Sequence, residues 1–243
     1  KYKKSAFTLI ELLVVIVIIG ILSGIGISTY NDYKEKARMA KIQSFDVQEN
    51  KKLLAKVVSG GDVDYKFNEI SNSLNSLVDN GFYDFYNRVE SSDDSPYSGV
   101  SSLHFEKDRL TGNLSTKFPR NEFTISLFFK ALDTHHDILT LRGPSGNTIN
   151  IGSNPTVSIF RGKNNQYTLV RNTSVNKEIN KWYHVLASHG NGKTTLYLDG
   201  EKFAEESNSV EIYDTYNQIK IGSVYKNHNI YGLKIYPFAY KEE

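Results

Sequence analysis

The chain has 243 residues, with 29 lysines and arginines against 27 aspartates and glutamates, a formal charge of +2. That near-balance excludes nucleic-acid binding through bulk charge, and the length accommodates one larger domain with an accessory piece, or two small domains. Cysteine is absent, which excludes a disulfide framework, a thiolate metal site and a thiolate nucleophile, and 12% aromatic residues point to β structure in the bulk.

The chain opens with Lys1, Lys3 and Lys4, followed by an apolar run from Phe7 to Ile27 that holds Gly20, Ser23, Gly24 and Gly26. As a helix this run measures about 30 Å, one hydrocarbon thickness, and the lysines assign its near end to the cytoplasm. A cleaved secretory signal would place a small-residue boundary after the apolar core. Here the boundary, Ser5-Ala6, precedes it. Glu11 stands inside the run, where a carboxylate costs roughly 2.5–3.5 kcal/mol on insertion scales, so it calls for a partner.

The stretch AFTLIELLVVIVIIGIL resembles the class III leader junction of type IV pilins, and the resemblance covers Lys1 to about Lys56. It implies cleavage by a prepilin peptidase between Ala6 and Phe7, methylation of the new Phe7 amine, and pairing of Glu11 with the terminal amine of a neighbouring subunit. Residues 1–6 are then a leader. The partners implied are other pilin subunits, with the membrane holding the chain before assembly and an extracellular pilus afterwards. Two positions depart from the family: Ala6 stands where glycine is usual, and Ser28 where proline is frequent, so nothing forces a break there.

TYNDYKEKARMAKIQSFDVQENKKLLAKVV contains no proline and extends the helix to about Val58, with Gly60-Gly61 as its stop. Tyr30, Tyr33, Ala37, Ala40 and Ser44 form a stripe at helical spacing. Ile70, Leu74, Leu77 and Val78 in FNEISNSLNSLVDNG predict a short amphipathic second helix ending at Asn80-Gly81. VESSDDSPYSG reads as a polar surface loop. These elements assign residues 7–80 to a helical stalk and 81–243 to a second module.

From Ser101 onward the pattern is β. FTISLFFKA alternates Phe123, Ile125, Leu127 and Phe129, and DILTLR, NTINIGS, TVSIFRG, QYTLVRN, WYHVLASHG, TTLYLDG, QIKIGS and IYGLKIYPF follow between Gly, Pro, Asn and Asp turns. The expected fold is α+β: a long N-terminal pilin helix followed by an all-β jelly-roll sandwich. NEFTISLFFKA, KWYHVLASHGNGKTTLYLDGEKFA, IKIGS and NIYGLKIYPFAYKEE are similar to the laminin G-like, concanavalin A-like modules. The resemblance implies that Trp182 packs in the sandwich, that Asp199-Gly200 makes a tight turn, and that His184 is a framework residue.

The same architecture hosts glycoside hydrolases, which need two carboxylates facing a cleft. No Glu-x-Asp-x-Glu spacing occurs, nor a Ser-His-Asp order or a phosphate loop, so the chain does not read as an enzyme. DTHHD places His135 and His136 on opposite faces of any strand. No cofactor is expected, except that some members of the resembled family bind calcium. Asp133, Asp137 and Asp214 are the carboxylates available for it, without a spaced acidic run. A sugar site needs an aromatic ring and planar polar groups. Arg142, Asn150, Arg161, Tyr167 and Arg171 offer these on strands, and the arginines suit acidic sugars. The same residues also fit the solvated face of a sheet. The combination resembles the streptococcal modular minor pilins, which carry a lectin-like module on a short stalk. It implies a tip adhesin for host glycans or glycoproteins; a structural pilin, a pseudopilin and a surface glycoside hydrolase are the alternatives.

Overall fold

The apolar and Ala/Lys/Glu-rich segments join into one helix, α1, Leu9–Ser59. It runs through Gly20, Gly24 and Gly26, since no proline removes a backbone donor. The computed structural model describes residues 8–59, 68–69, 83–84, 86, 88–113, 122–133, 137–144, 146–154, 156–161, 166–172, 178–207, 209–210 and 218–240. Packing divides the chain into two units, Lys1–Lys41 and Ile42–Glu243. The boundary expected at 81 therefore falls inside the second unit, which takes in the last turns of α1.

In the first unit the apolar side chains from Leu9 to Leu22 are exposed, as are Tyr30 and Tyr33. No helix among the described residues is long and apolar enough to cross a membrane. The span expected from Phe7 to Ile27 lies partly outside them, because Phe7 and the side chains of 24–28 are not described.

The second unit is a sandwich of two antiparallel sheets. One contains β1 (Asn68–Glu69), β3 (Val89–Ser92), β4 (Ser102–Phe105), β6 (Phe123–Ala131), β11 (Trp182–Gly190), β12 (Lys193–Leu198), β13 (Glu201–Glu206) and β15 (His228–Tyr236), in the order β13-β12-β11-β6-β15-β4-β3 with β1 against β15. The other holds β2 (Tyr83–Asp84), β5 (Arg109–Asn113), β7 (Asp137–Arg142), β8 (Thr148–Gly152), β9 (Thr156–Arg161), β10 (Gln166–Arg171) and β14 (Gln218–Gly222), in the order β10-β9-β8-β7-β14-β5-β2. Two expectations change. Asn68 and Glu69, at the start of the supposed second helix, are a strand paired with Ile235 and Lys234, while 70–80 lie outside the described residues. Val89–Ser92, read as loop, is a strand paired to β4.

The core fills the space between the sheets. Ile125, Leu127, Phe129, Val185, Ala187, Leu196 and Ile235 meet Leu110, Leu139, Leu141, Ile149, Ile151, Val157, Ile159 and Ile219. The hairpins close as the turn residues require: Asn191-Gly192 and Asp199-Gly200 both have positive φ at the two central positions. Gly222 is tightly constrained. Its φ is +92°, and an added Cβ would lie 2.6 Å from Phe105 and 2.8 Å from the Asp108 carbonyl oxygen. Gly222→Ala should destabilise the module by about 3 kcal/mol, combining a left-handed alanine with overpacking. A lower denaturant midpoint with an unchanged m-value would register it; an unchanged midpoint would show that Phe105 yields freely.

The middle of the eight-stranded sheet is buried on both faces: Thr124, Ser126 and Phe128, on the parity opposite the core, are as buried as their neighbours. What covers them is α1 itself. Ile42, Asp46, Glu49, Asn50 and Leu53 are its buried positions, at helical spacing. Leu53 packs on Tyr236 and Phe238, Phe45 meets the His184 ring edge-on at 5.8 Å, and the Tyr236 hydroxyl donates to Asn50. The buried face of the helix is thus not the Tyr30 to Ser44 stripe, whose members are exposed.

Candidate functional site

Alternation along each strand divides polar positions between the two outer faces of the sandwich, and only one of these lacks the helix. On the eight-stranded sheet, the polar groups are consumed by packing. The Asp46 carboxylate accepts from the Tyr97 hydroxyl at 2.9 Å and from Asn50 Nδ2 at 2.7 Å, with Lys234 Nζ at 3.8 Å. His184 Nε2 lies 2.9 Å from Ser126 Oγ and 3.5 Å from Asp46 Oδ1. Serine, histidine and aspartate thus meet after all, an arrangement invisible in chain order. It is not a relay, which needs the carboxylate on one ring nitrogen and the hydroxyl on the other. Here both address Nε2, and His184 is 1% exposed.

Trp182 also belongs to this outer face rather than to the space between the sheets. It pairs across the strands with Lys130, and its Nε1 donates to Asp94 Oδ1 at 3.0 Å. Asp94 also receives Lys130 Nζ at 2.8 Å and Asn229 Nδ2 at 3.0 Å, so the polar segment after β3 is pinned to the sheet. A cavity of about 390 Å³ at the free edge is lined by Ser188, Lys193, Tyr197, Lys202, Glu205 and Tyr240. Its charges satisfy one another. Glu205 accepts from Lys202 and, at 2.9 Å, from Lys193, and those hydrogen bonds hold its carboxyl down to about 2.

The seven-stranded sheet is different. Its registers align strand positions in rows. One row is Gln218, Arg142, Thr148, Phe160 and Tyr167; the next is Thr111, Lys220, Thr140, Asn150, Ser158 and Leu169. A third level holds Arg109 opposite Gly222, and Gly152, Thr156 and Arg171. Four of the five expected glycan residues, Arg142, Asn150, Tyr167 and Arg171, therefore share this face. Arg142 and Arg171 are exposed and Tyr167 is 55% exposed. Arg142 and Tyr167 lie in one row, three strand steps apart, or about 14 Å. Asn150 Nδ2 donates to Ser158 Oγ at 3.3 Å, which fixes the amide within the sheet face. Arg161 pairs with Gln166 in the register of β9 and β10, one level beyond the row of Thr148 and Tyr167.

Sequence reasoning missed Arg109 and Lys220 on this face. The signal was the alternation in RLTGN and QIKIG, where Leu110, Ile219 and Ile221 define the core parity. Asp137, next to a bulge and opposite Gly152, is the one carboxylate at an outward strand position among the described residues of this sheet. Of the other calcium candidates, Asp133 lies 3.6 Å from Lys226 Nζ, and Asp214 falls outside the described residues, as do His135 and His136. No group of three metal-ligating side chains occurs among the described residues.

Comparison with known proteins accords with this geometry. The family model for the concanavalin A-like lectin/glucanase superfamily matches residues 106–234, more than half of the chain. The chain belongs to that superfamily. A second model, the prokaryotic N-terminal methylation motif, matches residues 1–27. The chain therefore joins a type IV pilin N terminus to a lectin-like module.

Among solved structures, the lectin-like module is similar to domain 4 of AbnA, an extracellular arabinanase of Geobacillus stearothermophilus solved with arabinotriose. That match has 16% identity and a TM-score of 0.53, and covers 66% of this chain and 84% of that one. The T. cruzi calreticulin globular domain matches at 11% identity and a TM-score of 0.51, over 71% of this chain and 87% of that one. The binding domain of botulinum neurotoxin serotype G matches at 13% identity and a TM-score of 0.50, over 74% of this chain. The chain spans less than half of that toxin domain, 45% of its length. At such identities the likeness is one of fold. No curated protein sequence matches the chain significantly.

Proposed function

We propose that this chain is a minor pilin whose lectin-like module acts as a pilus-displayed adhesin, binding host glycans or glycoproteins through the outer face of the seven-stranded sheet. The observation that carries the reading is the asymmetry of the sandwich. Helix α1 occupies one outer face through Asp46, Asn50 and Leu53, and the other presents Arg142, Asn150, Tyr167 and Arg171 to solvent. An exposed ring and fixed planar polar groups on a rigid sheet are what a sugar requires: an apolar face to stack on and donors for its hydroxyls. In the same reading, residues 1–6 are removed between Ala6 and Phe7 by a prepilin peptidase. Residues 7–80 then form the stalk, the membrane holds the subunit until assembly, and the tip of the filament is its final place.

A glycan array probed with the full chain in detergent micelles tests the adhesin. Binding is expected, and Tyr167→Ala should weaken it about three- to tenfold with the fold intact. A folded chain that binds no glycan would return the module to a structural role. Release of reducing sugar from a bound glycan would make it a hydrolase instead.

A further inference from the structure

We propose that Arg109, Lys220 and Arg142 form a diagonal anion-recognition strip across β5, β14 and β7, and that its ligand is an acidic glycan, one carrying carboxylate or sulfate groups. The proposal rests on the glycan-binding reading above and narrows its ligand.

The strip follows from the registers. Lys220 stands opposite Thr111 on one side and Thr140 on the other. Arg109 is two residues from Thr111, and Arg142 two residues from Thr140. Each arginine is thus a same-face diagonal neighbour of Lys220, about 7–8 Å away. Three cations lie in line over three strands, with Thr111, Thr140, Asn150 and Ser158 in the row through the middle one.

Lys220 and Arg142 differ in their setting from five lysines elsewhere in the sandwich unit. Lys130, Lys193, Lys202, Lys226 and Lys234 each stand within 4 Å of a carboxylate. Among the described residues neither Lys220 nor Arg142 has such a partner. Burial, then the like charges of Arg109 and Arg142, push the Lys220 ammonium below its ordinary value. A ligand anion gives Lys220 and Arg142 a counterion. Guanidinium forks take a carboxylate or a sulfate bidentately, and the half-buried ammonium between them contributes a less screened charge. Asp137, at the margin of the strip, brings a single negative charge against three positive ones, so the face stays basic.

Binding of sialylated, sulfated and unmodified lactosamine to the full chain in detergent micelles, at low and high salt, tests this. The acidic forms should bind at least about tenfold more tightly than the unmodified sugar, and the advantage should shrink with salt. Lys220→Gln and Arg142→Gln should each cost about tenfold on the acidic forms alone, with melting curves unchanged. Lys51→Gln, on the exposed side of α1, removes the same charge and should cost nothing. Preference between the two acidic forms identifies the anion as carboxylate or sulfate. Equal affinity for the unmodified sugar, or full affinity in both strip variants, would overturn the strip and leave the adhesin standing. A folded chain that binds no glycan on the array would overturn both.

Discussion

Replacing Asp46 with alanine should lower the stability of the sandwich unit by about 3–5 kcal/mol, the largest effect of any single polar substitution in it. The magnitude is that of removing one member of a buried, charge-assisted network. Asp46 sits under the helix, 6% exposed, and its two oxygens serve Tyr97, Asn50, His184 and Lys234. Alanine leaves the Tyr97 hydroxyl and the Lys234 ammonium facing a cavity without their acceptor, and it loosens the helix turns whose Phe45 packs against Gly200, where a Cβ would lie 3.0 Å from the ring. Asp46→Asn keeps an acceptor but not the charge, and should cost less than half as much. The pH dependence separates the two terms. Burial raises the Asp46 carboxyl, but the hydrogen bond and charge of His184, then Lys234 and Tyr97, outweigh it and hold the group below its ordinary value. The ionised form is therefore favoured in the folded state. Its contribution is complete above the ordinary carboxylate range and is lost as the pH falls through the lowered value. Denaturant midpoints taken through that acid range should fall more gently in Asp46→Asn than in the parent. Equal midpoints for parent and alanine variant at neutral pH would mean that the helix is not held to the sheet by this residue.

The sequence carried most of the strands because a two-sided antiparallel core leaves alternating apolar residues and short turns. FTISLFFKA and WYHVLASHG are β6 and β11 residue for residue. Where the reading failed, a tertiary partner had changed the meaning of a pattern. Thr124, Ser126 and His184 look like solvent-facing positions on an amphipathic strand, yet the helix covers them. Nothing local in DVQENKKLL announces that Asp46 and Asn50, rather than the tyrosine stripe, form the packed face, because a buried aspartate is readable only with Tyr97 and Lys234 beside it. The candidate site was half legible. Tyr167, Arg171, Asn150 and Arg142 fall on one face by strand parity. Lys220 and Arg109 are unremarkable as letters. Their meeting on one face depends on β5 and β14 being neighbours, and more than 100 residues separate these strands in the chain.

Glu11→Ala should remove the subunit from filaments at least about tenfold, measured as its amount in sheared pili relative to whole cells, while leaving the lectin-like module folded. The structure shows one role for the carboxylate and we propose a second, and the two can be separated. Within the subunit it closes a capping box: the Thr8 backbone N–H and hydroxyl both donate to Oε2 at 2.7 Å, and the Glu11 N–H donates back to Thr8 Oγ1 at 3.3 Å. Losing that cap costs a helix about 1 kcal/mol, too little to block assembly. The proposed second role, suggested by the methylation motif over residues 1–27, is to meet the Phe7 amine of a neighbour in a medium of low dielectric. There an unpaired charge is far more costly than a lost cap, and a paired one fixes the register between subunits. Glu11→Gln distinguishes the two. Glutamine keeps the capping geometry, since the box accepts either residue, but carries no charge. If pairing governs assembly, the glutamine variant stays out of the filament as the alanine variant does, and Thr8→Ala, which weakens only the cap, enters it. Filaments that incorporate the glutamine variant normally would reduce Glu11 to a helix cap and take the intersubunit ion pair out of the assembly mechanism.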